Sequence, residues 1–156
     1  MCGIVGIRRF DGRDVDLQQL RAMTARLVHR GPDAEGYWSH GPIGFGHRRL
    51  SIIDLAASSQ PMASVDGTCH LTFNGEILNY RHLRRRFDYP YQTEGDTETI
   101  LACYAARGPA GLADLEGQFA FGLHDARDGT LWLARDRVGI LPVSYTHLTL
   151  PTNREV

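Results

Sequence analysis

Cys2 directly follows the initiator Met1. A residue this small permits removal of the methionine, which would make Cys2 the N-terminus. Thiol and α-amine would then share one residue. The amine, with a reference pKa of ~7.7–8.0, is suited to act as general base for its own side chain. N-terminal nucleophiles, including the threonine variety, use this arrangement. The same Cys also reads as a small apolar residue opening a strand, and position alone leaves that reading ahead. A second signal is Asn74-Gly75. An Asn amide and a closely approaching Gly N–H can together stabilise a developing oxyanion. Taken alone the dipeptide reads as a hairpin turn ahead of an oxyanion site, but Glu76-Ile77-Leu78-Asn79-Tyr80 reads as helix rather than as a returning strand. A third is the pair Arg49 and Asp96. An α-amino acid carries a carboxylate and an ammonium on one carbon, and gripping it takes a guanidinium fork and a carboxylate set apart. A surface ion pair is the alternative for Arg49. A helix N-cap is the alternative for Asp96, which could serve both purposes, and for each residue taken separately the alternative is ahead.

Other chemistries are excluded by composition. All 17 basic residues are Arg, so lysine Schiff bases and phosphate-loop lysines are absent. No Gly-rich nucleotide motif occurs. The seven His residues (29, 40, 47, 70, 82, 124 and 147) show no ligand spacing with the cysteines, so no metal is expected. Cys69 and His70, adjacent on a strand, should point to opposite faces. Cys2, Cys69 and Cys103 cannot all pair within the chain, which fits a reducing cytoplasm. No secretory signal or long apolar run is seen, so no membrane partner is expected. The net charge of −1 gives no pull toward nucleic acid. With 156 residues, 42% hydrophobic and 22% charged, the chain is of one-domain size, burying roughly 70% of its unfolded surface.

The elements that must position these groups can be read in outline. Gly3–Ile7 is a strand and Asp11-Gly12 a turn. Residues 16–28 carry apolar residues at near-helical spacing, with Asp14 or Asp16 as cap and Arg30-Gly31-Pro32-Asp33 as stop. Strand-like runs follow at Ile43–His47, Leu50–Ile53 and His70–Phe73, with a loop at 56–67. Residues 79–87 form a short helix that exposes Arg84, Arg85 and Arg86 as a solvated face. Asp96 caps a helix with Ile100, Leu101 and Tyr104 inward, ended by Gly108-Pro109. Phe119, Phe121 and Leu123 alternate with Ala120, Gly122 and His124, and Asp128-Gly129 turns the chain into Leu131–Ala134. Arg49 falls at a strand edge. Such interspersion without regular βαβ order predicts an α+β fold with mostly antiparallel sheet.

Taken together, seven strings occur in order: Met1–Gly6, His29–Asp33, Gly46–Asp54, Phe73–Glu76, Gly95–Glu98, Gly117–Phe121 and Arg135–Gly139. The chain resembles the class II glutamine amidotransferase domain of glutamine-hydrolysing asparagine synthetases over residues 1–142. The resemblance implies a four-layer αββα sandwich, the N-terminal-nucleophile hydrolase fold, with two antiparallel sheets between helices. It implies that Cys2 attacks the side-chain amide of glutamine and that Asn74 and the Gly75 N–H hold the oxyanion. Arg49 would bind the substrate carboxylate, and Asp96, assisted by Glu76, its ammonium. Backbone groups at Leu50 and Ile52 would line the pocket. The Cys2 amine would hand a proton to departing ammonia, and water would cleave the glutamyl thioester.

Two departures stand out. Leu78 replaces a common aromatic residue, a packing change. After Pro142 the pattern stops, so 143–156 is expected to be a tail foreign to the family and the ATP-dependent synthetase domain is expected to be missing. No cofactor is expected in this chain, because ATP and magnesium belong to that domain. Expected partners are glutamine and the synthetase domain, with a homodimer of the longer enzyme. Alternatives are the glutaminase domain of an amidotransferase making amino-sugars or purine precursors, one with a peptide or carbohydrate acceptor, or an inactive partner module.

Overall fold

The computed structural model describes residues 1–50 and 59–144. Eleven elements follow in order: β1 (Gly3–Arg8), α1 (Leu17–Ala25), β2 (Ala34–His40), β3 (Ile43–Arg49), β4 (Met62–Ala63), β5 (Cys69–Ile77), α2 (Tyr80–Arg86), α3 (Thr97–Arg107), α4 (Pro109–Leu112), β6 (Gly117–Asp125) and β7 (Thr130–Arg135). The strands form two antiparallel sheets, ordered β1-β3-β2 and β4-β5-β6-β7.

Alternation explains the layers. In the first sheet, a Cβ placed on Gly3 would touch Leu27, on Gly44 Val15 and Leu20, and on Gly46 Thr24. That face therefore carries α1, whose Asp16 cap accepts from Gln18 N at 2.8 Å. The opposite face presents Phe45, which a Cβ on Gly6 or on Gly122 of β6 would meet. Phe45, 1% exposed, thus fills the space between the sheets. In the second sheet Leu71, Phe73, Ile77, Phe119, Phe121 and Leu123 join Leu83, Ile100 and Leu101 of α2 and α3 in one buried cluster. Each of these side chains contributes about 1.5–3 kcal/mol on burial. The order is α1, sheet, sheet, α2–α4, the expected αββα sandwich. Tyr104 ties α3 to its sheet: its hydroxyl donates to Asp125 (3.0 Å) and accepts from Trp132 Nε1 (3.1 Å).

Several readings change. β5 runs straight through Asn74-Gly75 to Ile77, so the dipeptide is no turn and Glu76-Ile77 is strand. β3 runs two residues past the expected His47 and is the central strand of its sheet, and Arg49 stands at its end as expected. β2 escaped notice because Ala-Glu-Gly-Tyr-Trp-Ser-His alternates weakly around an interior Gly. Arg84 is not solvated: its guanidinium lies 3.9 Å over the Tyr91 ring and donates to Thr93 O and Gly95 O. Asp96 precedes α3 without capping it. Ile52, the strand-like run beyond Leu50 and residues 145–156 of the expected tail lie outside the described residues.

Candidate active site

Strand periodicity gathers the candidate residues in the space between the sheets. β1 pairs with β3 from Gly3↔Arg48 onward, so Cys2 lies at the end where Arg49 closes β3. Cys2 shares the parity of Ile4 and Gly6, and Arg49 that of Phe45 and His47. Both therefore belong to the face turned to the second sheet. On β5, Cys69, Leu71 and Phe73 go to the helices, which leaves His70, Thr72, Asn74 and Glu76 for the face turned to the first sheet. His70 confirms this by stacking on Trp38 of β2, 4.0 Å between ring centroids. Cys2 is half-buried, and its thiol makes a weak contact with Leu50 O at 3.9 Å. Leu50 lines a cavity of about 380 Å³ with Met1, His29, Arg30 and Pro32.

On its side away from β6, the backbone of β5 presents a row of N–H and C=O groups. Its odd-numbered residues turn their N–H and C=O groups away from β6. Cys69 O accepts from Ser64 N (2.9 Å), Phe73 N donates to Gln60 Oε1 (2.6 Å), and Ile77 N donates to Asp96 Oδ2 (2.8 Å). On the other side Leu78 N donates to Glu116 O at 2.7 Å. Phe119, opposite Gly75, uses its own N–H and C=O on Asp136. The Gly75 N–H thus faces the same open edge, between two N–H groups that side chains have already claimed. No described strand runs beside it there, because β4 reaches only to Leu71. Gly75 is held at φ +145°, and a Cβ would collide with Gln118 O and Phe119. Gly75→Ala should therefore cost about 2–3 kcal/mol or more, read by urea denaturation. Unchanged stability would contradict the tight approach of β6.

Sequence reasoning missed His47. Its ring, 2% exposed, crosses between the sheets and its Nε2–H donates to Phe73 O at 3.2 Å. With Gln60 on Phe73 N, both polar backbone groups of the residue before Asn74 are fixed. The signal was present: His47 has the parity of Arg49. Burial pushes the His47 pKa down to about 4, against the Phe73 carbonyl and with help from the Arg49 charge. The unfolded chain takes up this proton near pH 6.5, the folded chain only near 4. Stability is therefore lost as pH falls through that window, by up to about 3 kcal/mol from His47. His70, lowered by burial and by His124, adds loss of the same sign. A thermal midpoint that holds constant from pH 7 to 4 would refute this.

At the far end of β5, Asp96 and Glu76 form an acidic corner. Burial raises the Asp96 pKa and the Glu76 charge adds to it, while the Ile77 N–H opposes. An incoming ammonium would relieve both penalties. The structure therefore places Cys2, Leu50, Arg49, Asn74, Gly75, Glu76 and Asp96 on the facing surfaces and edges of the two sheets. Ile52 is the one sequence candidate it does not describe. Among the described residues there is no cluster of His, Cys, Asp and Glu able to hold a metal. Nor is any described helix long and apolar enough to cross a membrane.

The model of the glutamine amidotransferase domain matches residues 1–152. Asparagine synthetase [glutamine-hydrolyzing] 1 of Bacillus subtilis is 41% identical over 152 residues, 94% of this chain and 24% of that protein. Asparagine synthetase B of Escherichia coli is 39% identical, over 92% of this chain and 26% of its own. Amidase chyE of Penicillium rubens is 38% identical, over 94% and 24%. The chain thus spans about a quarter of the length of these relatives. A solved glutamine phosphoribosylpyrophosphate amidotransferase from B. subtilis shares the fold at TM-score 0.64 and 18% identity, covering 87% of this chain and 37% of that one.

Proposed function

The chain belongs to the glutamine amidotransferase domain family, and on that premise we propose that its inter-sheet site hydrolyses glutamine through Cys2. The Arg49 guanidinium holds the substrate carboxylate and Asp96 with Glu76 the ammonium, which sets the side-chain amide before the thiol. Cys2 Sγ, its proton taken by the freed α-amine, bonds to the amide carbon. The Asn74 side-chain amide and the Gly75 N–H donate to the resulting oxyanion. As the C–N bond breaks, the α-amine returns the proton and ammonia leaves. Water then attacks the thioester, and glutamate and the free thiol are regenerated. The observation that carries this reading is the Gly75 N–H, which no group among the described residues claims, on the edge of β5 beyond the reach of β4, next to Asn74 and across from the Cys2 end of the first sheet. No step calls for ATP, magnesium or a metal.

In the relatives the matched segment is about a quarter of the protein. We assign the remainder the use of the ammonia, with aspartate as acceptor and asparagine as product in a longer chain. The free thiols of Cys2, Cys69 and Cys103 support a reducing, cytoplasmic setting. The test is the purified chain with glutamine, aspartate, ATP and magnesium. Glutamate and ammonia should form in equal amounts, with or without ATP, and no asparagine should appear. Asparagine would reveal an active site overlooked in this chain, and no glutamate under any condition would favour the inactive partner module.

Recognition and chemistry should separate. Arg49→Ala should raise KM for glutamine by about tenfold to a hundredfold, the loss of about 1.5–3 kcal/mol of charge-assisted hydrogen bonding, with kcat within a few-fold. A kcat effect with KM unchanged would remove Arg49 from the carboxylate.

A further inference from the structure

We propose that Glu98 and Arg84 are positioning residues that set the Asp96 carboxylate from behind, and so make the site selective for substrates bearing an α-ammonium. The inference rests on the reading of Asp96 as the ammonium ligand. Neither residue belongs to the pocket described above. Their grip is on the segment that ends in Asp96.

Glu98, in the first turn of α3, is 3% exposed. A carboxylate so buried must be compensated. It reaches back rather than into its helix. Gln92 N donates to both its oxygens (2.8 and 3.0 Å), and Thr93 N and Oγ1 donate to Oε2 (2.8 Å each). Arg84 of α2 grips the same segment from its carbonyl side. Its guanidinium donates to Thr93 O (2.7 Å) and Gly95 O (3.2 Å), and stacks on Tyr91. The N–H groups thus go to an anion and the C=O groups to a cation, all charge-assisted. Gly95, held this way, is the residue before Asp96. Asp96 spends its own C=O on Thr99 N (3.1 Å) to start α3, and its carboxylate meets Ile77 N on β5. That carboxylate is therefore fixed from both sides of its peptide, at the cost of the helix cap it would otherwise form. Releasing Gln92–Gly95 frees Asp96 to swing from the pocket toward water, where burial no longer opposes its charge.

A general structural role would weaken every reaction of the site alike. A role through Asp96 weakens only recognition of the ammonium. The full chain should be assayed with glutamine and with glutaramate, which carries hydrogen in place of the α-ammonium. Glu98→Gln should raise KM for glutamine about tenfold, with kcat within twofold. Its kcat/KM for glutaramate should stay within twofold of the parent. In an Asp96→Asn background, Glu98→Gln should cause no further loss on glutamine. Should Glu98→Gln fail to fold, Arg84→Gln reads the same segment from the other side and must show the same substrate selectivity. Equal losses on both substrates, or losses that multiply fully with Asp96→Asn, would overturn the proposal. A parent chain that hydrolyses neither substrate would instead overturn the glutaminase reading.

Discussion

Cys2→Ala releases no glutamate above background, a fall of about 10⁴-fold or more, while the protein remains folded. The size of the effect follows from the chemistry: alanine carries no atom that can form the thioester, and no other described cysteine substitutes. Cys69 and Cys103 are buried, and burial raises both thiol pKa values, that of Cys103 to about 12. The fold is spared because Cys2 precedes β1 and, among the described residues, its thiol meets only Leu50 O, weakly, at 3.9 Å. Stability should change by about 0.5 kcal/mol or less. Cys2→Ser should keep only a trace of activity, because a hydroxyl is the poorer nucleophile near neutral pH. Steady-state glutamate release and a denaturation curve check both halves. Normal turnover by Cys2→Ala would remove the nucleophile from the account.

Asn74→Ala should lower kcat by about 10²–10³ with KM little changed. The side chain stands on the β5 face turned to the first sheet, and the donor beside it, the Gly75 N–H, survives the substitution. About half of the oxyanion stabilisation is removed, and substrate binding is not. A raised KM with unchanged kcat would reassign Asn74 to recognition. The flanking anchors sharpen this expectation. Phe73 is fixed by Gln60 and His47, and Ile77 by Asp96, so the truncated side chain leaves the strand in place.

The residues of the proposed site were named from the sequence through the resemblance, since Cys2, Asn74-Gly75, Arg49 and Asp96 taken singly each favour an ordinary structural role. The αββα order was legible through the resemblance. Local pattern alone gave α+β, since which sheet faces which depends on long-range pairing. Asn74-Gly75 shows the limit clearly. Its local preference is a turn, and β6 overrides it by pairing residue for residue from Cys69 to Ile77. Asp96 shows another. Its local preference is a cap, but the N–H of Ile77, 19 residues earlier, claims the carboxylate instead. Arg84 looked like part of a charged surface run, and only the return of the chain at Tyr91–Gly95 brings it partners. His47 stayed hidden because its partner, Phe73 O, lies 26 residues away. Apart from β2, hidden by its weak alternation, these misses concern groups whose partners lie beyond the reach of a local pattern.

The most direct measurement is intact-mass and peptide-mass analysis of the protein quenched in acid during turnover of glutamine. The account predicts a glutamyl adduct, labile to base, on the N-terminal peptide, which begins at Cys2 and lacks Met1. An active protein that retains Met1 would contradict the role of the α-amine. An adduct on Cys69 or Cys103, or steady glutamate release with no adduct while Cys2 is alkylated, would contradict the account at its centre.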